Sequence, residues 1–316
     1  MSRRSPVRNT IGTLLAACAL VALAALSIPA PAAAQVPLPN PLRFVSMLDL
    51  KCYRVDSDAA LNEKVTLVHL NRVVRALGAP DETVVARRLQ QLCVPVAKNN
   101  FFPGHDTFLF VQYADFACYG LDPVFQFNQI KLRLSHLNPV FQEAGAPDEV
   151  VVLGQPRQLC VPVAKNHSDP PPEVRILIEQ IDLKCYDFAI PPTTVRPLNL
   201  DLRLSHLNPV LIGLGMEDER VTVREAQQLC LPVAKNNNMP RPEVLEIVRW
   251  IDILKYRIDA DPLPAPVPLV IRHLNPLFER RQPESIRLVA PTELGVPVAK
   301  NNAIPPAPAA VAVPVP

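Results

Sequence analysis

Two short strings recur in step along the chain and restrict it to a repeated architecture. P-V-A-K-N begins at Pro95, Pro162, Pro232 and Pro297, and H-L-N begins at His69, His136, His206 and His273. The histidines lie 67, 70 and 67 residues apart. A fixed period of that size marks one supersecondary unit copied in tandem. The expected units cover residues 41–103, 107–171, 173–240 and 242–302. A single unit of this length buries only a modest core and is marginal without a covalent staple.

Six cysteines can supply the staples. Cys52 and Cys93, Cys118 and Cys160, and Cys185 and Cys230 fall two to a unit in the first three units. The count alone leaves many connectivities open, but the fourth unit narrows them. There Lys255 and Gly295 stand where the other units carry both cysteines. Paired loss is explained by bridges within a unit; bridges between neighbours, Cys93 to Cys118 and Cys160 to Cys185, give it no reason. Each loop closure should contribute about 4 kcal/mol in the chain-entropy description, so unit four, without one, is expected to be the softest.

Residues 1–34 contain Arg3, Arg4 and Arg8, no acidic residue, an apolar run from Ile11 to Ile28, and Ala32-Ala33-Ala34 ahead of Gln35. This is the pattern of a signal peptide cleaved after Ala34. It predicts a secreted, periplasmic or surface protein in which disulfides persist. Leu15-Ala16-Ala17-Cys18 also reads as a lipobox, which would make a lipoprotein through Cys18. No later run is long and apolar enough for a transmembrane anchor. The whole chain has 32 Lys+Arg against 30 Asp+Glu, and loss of the leader's three arginines brings the mature chain close to neutral. That balance, with 5% aromatic residues, argues against a nucleic-acid partner or a basic membrane-binding face.

Within a unit the pattern predicts mainly β structure with short helices. An amphipathic segment precedes K-C-Y, whose apolar spacing favours one or two helical turns. A short strand at Cys52-Tyr53, a variable loop and an alternating strand follow; Leu200, Leu202 and Leu204 share one face of the last in unit three. Asn208-Pro209 then supplies an N-cap and a first helical residue. Two closing strands are expected next, the second holding Leu229 to Val233, with Pro232 confining it to a sheet edge. Residues 99–104, 166–172 and 236–242 read as semi-stiff spacers. The tail, residues 303–316, is rich in Pro and Ala and reads as extended or disordered.

K-C-Y paired with L-C-V-P-V-A-K, in tandem behind a signal peptide, resembles uncharacterised exported bacterial proteins built from domain-of-unknown-function modules. The resemblance covers most of Asp49 to Asn301 and implies export and repetition, with no activity to carry over.

Four candidate sets remain. His69, His136, His206 and His273 read as structural neutral imidazoles at the ends of half-buried strands, bonded to a carbonyl or the following turn. A zinc site with the cysteines is disfavoured because His273 persists where both thiols are gone. Ser135-His136 and Ser205-His206 cannot form nucleophile and base, since adjacent strand residues face opposite ways. Lys98, Lys165, Lys235 and Lys300, each before an asparagine, are expected at an exposed strand edge; their functional reading is one weak ligand contact per unit, summed by avidity. No catalytic, cofactor-binding or metal constellation emerges. The chain therefore reads as an exported, non-enzymatic binding or spacing element whose partner is an unknown envelope polymer or protein. The alternative is an exported hydrolase with its active site in the variable loops.

Overall fold

The computed structural model describes residues 37–122, 130–190 and 197–307. The leader, Cys18 and the end of the tail lie outside these residues, as do parts of two variable loops. One order of elements recurs. The first repeat holds α1 (Pro41–Ser46), β1 (Leu50–Asp56), β2 (Ala60–His69), α2 (Arg72–Ala76) and β3 (Glu82–Lys98). The second holds α3 (His105–Val111), β4 (Phe116–Asp122), β5 (Lys131–His136), α4 (Pro139–Glu143) and β6 (Glu149–Lys165). In the third are α5 (Pro172–Ile178), β7 (Leu183–Ile190), β8 (Leu200–His206), α6 (Pro209–Gly213) and β9 (Glu219–Lys235). The fourth has α7 (Pro242–Val248), β10 (Ile253–Ala260), β11 (Val267–His273) and β12 (Glu284–Lys300), with turns over residues 276–280 in place of the second helix.

The K-C-Y strands and the long strands alternate around a closed antiparallel ring: β1, β3, β4, β6, β7, β9, β10, β12 and back to β1. The H-L-N strands lash opposite repeats together. β2 pairs with β3 and also with β9, while β8 pairs with β9 and also with β3. The second and fourth repeats exchange β5 and β11 in the same way, β5 reaching β12 and β11 reaching β6. The described residues accordingly form one compact unit.

Two local expectations are corrected by this pairing. The spacers are tight turns: Asn99 and Asn100 have φ of 49° and 61°, and Lys98 bridges back to Phe101, with the same bridge at Lys165, Lys235 and Lys300. Asparagine tolerates the left-handed region better than most residues. The two closing strands are one strand of 17 residues, because its partner changes along its length. On one side of β3, β4 ends opposite Cys93 and β8 begins opposite Val96. Pro95 falls in that hand-over, where its carbonyl accepts from the Leu207 amide at 3.0 Å. In a strand the N–H and C=O of one residue point the same way, so the missing donor costs only the second bond of the pair with Leu207 while the first is kept. The proline is internal, and no sheet edge is needed.

The disulfides are Cys52–Cys93, Cys118–Cys160 and Cys185–Cys230, within the first three repeats. They face the ring interior with Leu50, Phe116, Leu183 and Ile253, beneath helices α1, α3, α5 and α7. These helices touch in a circle, α7 meeting α1. Asn40 Nδ2 donates to the Pro306 carbonyl at 3.4 Å, so the two ends of the described region meet and complete the circle.

Candidate functional site

The repeated lysines are interior. Lys98, Lys165, Lys235 and Lys300 are 1%, 0%, 3% and 1% exposed, and each forms an ion pair with the aspartate that opens its own K-C-Y segment: Asp49, Asp115, Asp182 and Asp252. The expected exposed edge does not exist, because the strand runs on into pairing with the opposite repeat. Each aspartate also accepts from the asparagine of the next repeat's H-L-N. Asn138 Nδ2 donates to Asp49 at 2.6 Å, Asn208 to Asp115 at 2.9 Å, Asn275 to Asp182 at 3.0 Å and Asn71 to Asp252 at 3.3 Å. The Oδ1 of the same asparagines accepts from the helix or turn that follows, as Asn208 does from the Val210 amide at 2.9 Å. Burial pulls all four lysines down and lifts the four carboxyls, Asp49 and Asp252 to about 6, against the opposing pull of the partner charge.

The last residue of P-V-A-K-N is equally committed. The Arg203 amide donates to Asn99 Oδ1 at 2.9 Å and the Asn99 amide to the Arg203 carbonyl at 2.8 Å. Asn166, Asn236 and Asn301 make the same two-way bond to Val270, Thr66 and Arg133.

The histidines bond to tyrosines, rather than to the carbonyl or turn expected. Tyr53 meets His206 Nε2 at 3.0 Å, Tyr186 meets His69 at 2.8 Å, Tyr119 meets His273 at 3.2 Å and Tyr256 meets His136 at 3.2 Å. Each pair joins opposite repeats. Burial, then nearby lysines, pull His69 and His206 to about 3 and His136 to about 4. The native imidazoles refuse a proton that the unfolded chain accepts below its ordinary value near 6.5. Their contribution is therefore complete above pH 6.5 and is lost as pH falls toward 4. The lifted aspartates act in the opposite direction, so a difference isolates one group. The stability gap between the protein and H206Q should be constant above pH 6.5 and shrink by about 1.4 kcal/mol per pH unit below it. Urea titrations at stepped pH measure this, and a gap flat to pH 4 would remove the buried neutral imidazole.

The K-C-Y lysines have acidic partners in the opposite repeat, which sequence spacing did not disclose. Lys51 pairs with Glu219, and Lys184 with Glu82 at 2.5 Å. In the other two repeats Ala117 and Leu254 occupy the lysine position, and Tyr119 instead donates to Glu284 at 2.8 Å. Among the described residues no group of three or more His, Cys, Asp and Glu is placed to hold a metal ion.

With the repeated residues engaged internally, the distinctive chemistry lies where the repetition fails. Lys255, 2% exposed, projects into the ring where the other repeats have a cysteine. Its Nζ donates to Gln91 Oε1 at 2.8 Å and, across the ring, to Gln158 Oε1 at 3.1 Å, with Glu293 Oε2 at 3.4 Å. Gln91, Gln158, Gln228 and Glu293 are equivalent positions of the four long strands. The repeat that gains a cation thus also exchanges glutamine for glutamate beside it. Burial lowers the Lys255 ammonium and Glu293 opposes the shift. Gln228 Oε1 is the acceptor of this ring left without a hydrogen-bond partner among the described residues. Gln228 and Glu293 in turn line a cavity of about 360 Å³, with Gln90, Gly120, Leu121, Arg157, Asp187 and Gln227. All four repeats contribute to it, which places it at the axial mouth of the ring. Arg157 and Asp187 neutralise each other at 2.6 Å, so the lining is amide-rich and free of aromatic rings.

Comparison of the chain with family models, with curated proteins and with solved structures gave no match.

Proposed function

We propose that this chain is an exported, non-enzymatic binding element of a bacterial envelope or surface, and that it binds at the axial mouth. The reading is carried by the unmatched acceptor of Gln228, a residue that lines a cavity shared by all four repeats. A buried acceptor without a partner is costly, and a ligand donor would relieve it. Three interior disulfides are compatible with an oxidising, extracytoplasmic compartment, and among the described residues no helix is long and apolar enough to cross a membrane. The lining favours a small hydroxyl- or amide-bearing group of an envelope polymer, recognised by hydrogen bonds and without ring stacking.

The test is isothermal titration of the mature chain with solubilised envelope polysaccharide and peptidoglycan fragments, beside Q228L, which removes the acceptor at nearly constant volume. Saturable binding weakened at least about tenfold in Q228L, roughly one charge-neutral hydrogen bond, is expected. Equal binding by both proteins would dismiss the mouth, and no binding by either would dismiss the binding function in favour of a spacer.

A further inference from the structure

The three disulfides are in contact with one another. Cys93 Sγ lies 3.8 Å from Cys118 Sγ, and Cys160 Sγ lies 3.6 Å from Cys185 Sγ. Each contact joins cysteines of neighbouring repeats, because inward-pointing side chains of a closed ring converge. Six sulfurs thus form one line in the order Cys52, Cys93, Cys118, Cys160, Cys185, Cys230. It stops at both ends against the fourth repeat, where Gly295 pairs with Leu50 beside Cys52, and Ile253, two residues before Lys255, pairs with Cys230.

We propose that the line is a single thiol–disulfide exchange path, so that a bridge opened at one place is passed along it. The chemistry balances without an added oxidant. If an external dithiol reduces Cys52–Cys93, it leaves as a disulfide and two thiols remain. The Cys93 thiolate attacks Cys118; the new bond is Cys93–Cys118, the bond broken is Cys118–Cys160, and the electron pair departs on Cys160. The Cys160 thiolate then attacks Cys185 and expels Cys230. Two bridges remain throughout, and the two thiols finish at the ends of the line, Cys52 and Cys230, on either side of the repeat that has no bridge. The same three bridges seen as isolated staples would keep both thiols where reduction occurred.

The contacts are a few tenths of an ångström beyond the reach of a near-attack arrangement, so only a small inward movement starts each step. All six cysteines are 2% exposed or less, and apolar burial opposes thiolate formation. Transfer should therefore be slow and should accelerate about tenfold per pH unit below the thiol's own titration, since the thiolate is the nucleophile.

The experiment starts a single thiol at one end. C52S is purified at pH 5, moved to pH 8.5, quenched in acid at intervals, alkylated with N-ethylmaleimide and mapped without reduction. The label should begin on Cys93 and spread to Cys160 and Cys230, with Cys93–Cys118 and Cys160–Cys185 linkages appearing in step. C230S should show the mirror course, from Cys185 to Cys118 and Cys52. Label confined to Cys93 and to Cys185 over hours at pH 8.5 would overturn the path. Should either variant fail to fold, the unaltered protein treated with less than one equivalent of dithiothreitol gives the same reading. Labels on Cys52 together with Cys230 support the path, and labels only on bridged partners refute it.

Discussion

K165M is expected to lower stability by about 3–5 kcal/mol, the usual cost of leaving one member of a buried ion pair without the other. Lys165 is 0% exposed and Asp115 2% exposed, and the pair fixes two further connections. Asp115 accepts from Asn208 of the next repeat at 2.9 Å, and its backbone carbonyl accepts from the Val163 amide at 2.9 Å. Removing the ammonium leaves a carboxylate that burial already disfavours, so the variant should take up a proton on folding near neutral pH. The double variant K165M/D115L should regain part of the loss, because it removes the stranded charge as well, although Asn208 then loses its acceptor. K131Q, at an exposed strand position, should change stability by no more than about 0.5 kcal/mol. Urea unfolding of the four proteins under non-reducing conditions decides the matter. A K165M curve overlying that of K131Q would mean that the repeated lysine is a surface group after all.

The contrast between those lysines shows what the sequence makes legible. Period, element type and the cysteine pairing follow from local spacing: His69 to His273 mark the repeats, alternation at Leu200, Leu202 and Leu204 marks a strand, and loss of both cysteines in one repeat assigns the bridges. Closure is not local. Nothing in the string P-V-A-K-N tells that Asn99 will bond Arg203 or that Lys98 will be covered by a strand from two repeats away, because a charged residue before an asparagine turn reads equally well as a solvated edge. Seven of the nine lysines in the chain are buried, and each finds an acidic partner. Glu82 and Glu219, the partners of Lys184 and Lys51, stand two repeats distant. A signal was present for the axial site: Lys255, Glu293 and Gly295 depart together from the repeat. The change from glutamine to glutamate becomes meaningful only when the structure sets Glu293 beside the new cation.

That group of departures can be reversed, and a fourth bridge should then form. Lys255 pairs directly with Gly295, as Cys52 does with Cys93, Cys118 with Cys160 and Cys185 with Cys230. Cysteines at the two positions alone would meet an obstacle, since a Cβ on residue 295 would lie 2.6 Å from Ile253 Cγ2. The equivalent residues Leu50, Phe116 and Leu183 have no branch at Cβ, so Ile253 has spread into space that only glycine leaves free. Glu293 must also become glutamine, or removal of Lys255 would strand its carboxylate beside the Gln91 amide, which donates to it at 2.9 Å. The variant I253L/K255C/E293Q/G295C is therefore expected to close the sulfur ring and to gain about 4 kcal/mol, the chain-entropy value for a loop of about 40 residues, reduced by any misfit of the new side chains. Non-reduced peptide mapping should find the two introduced cysteines linked to each other, and thermal unfolding should shift upward only in the oxidised protein. Two free thiols at these positions in an otherwise folded protein would show that the fourth repeat differs from the others in backbone geometry and not merely in the side chains that fill it.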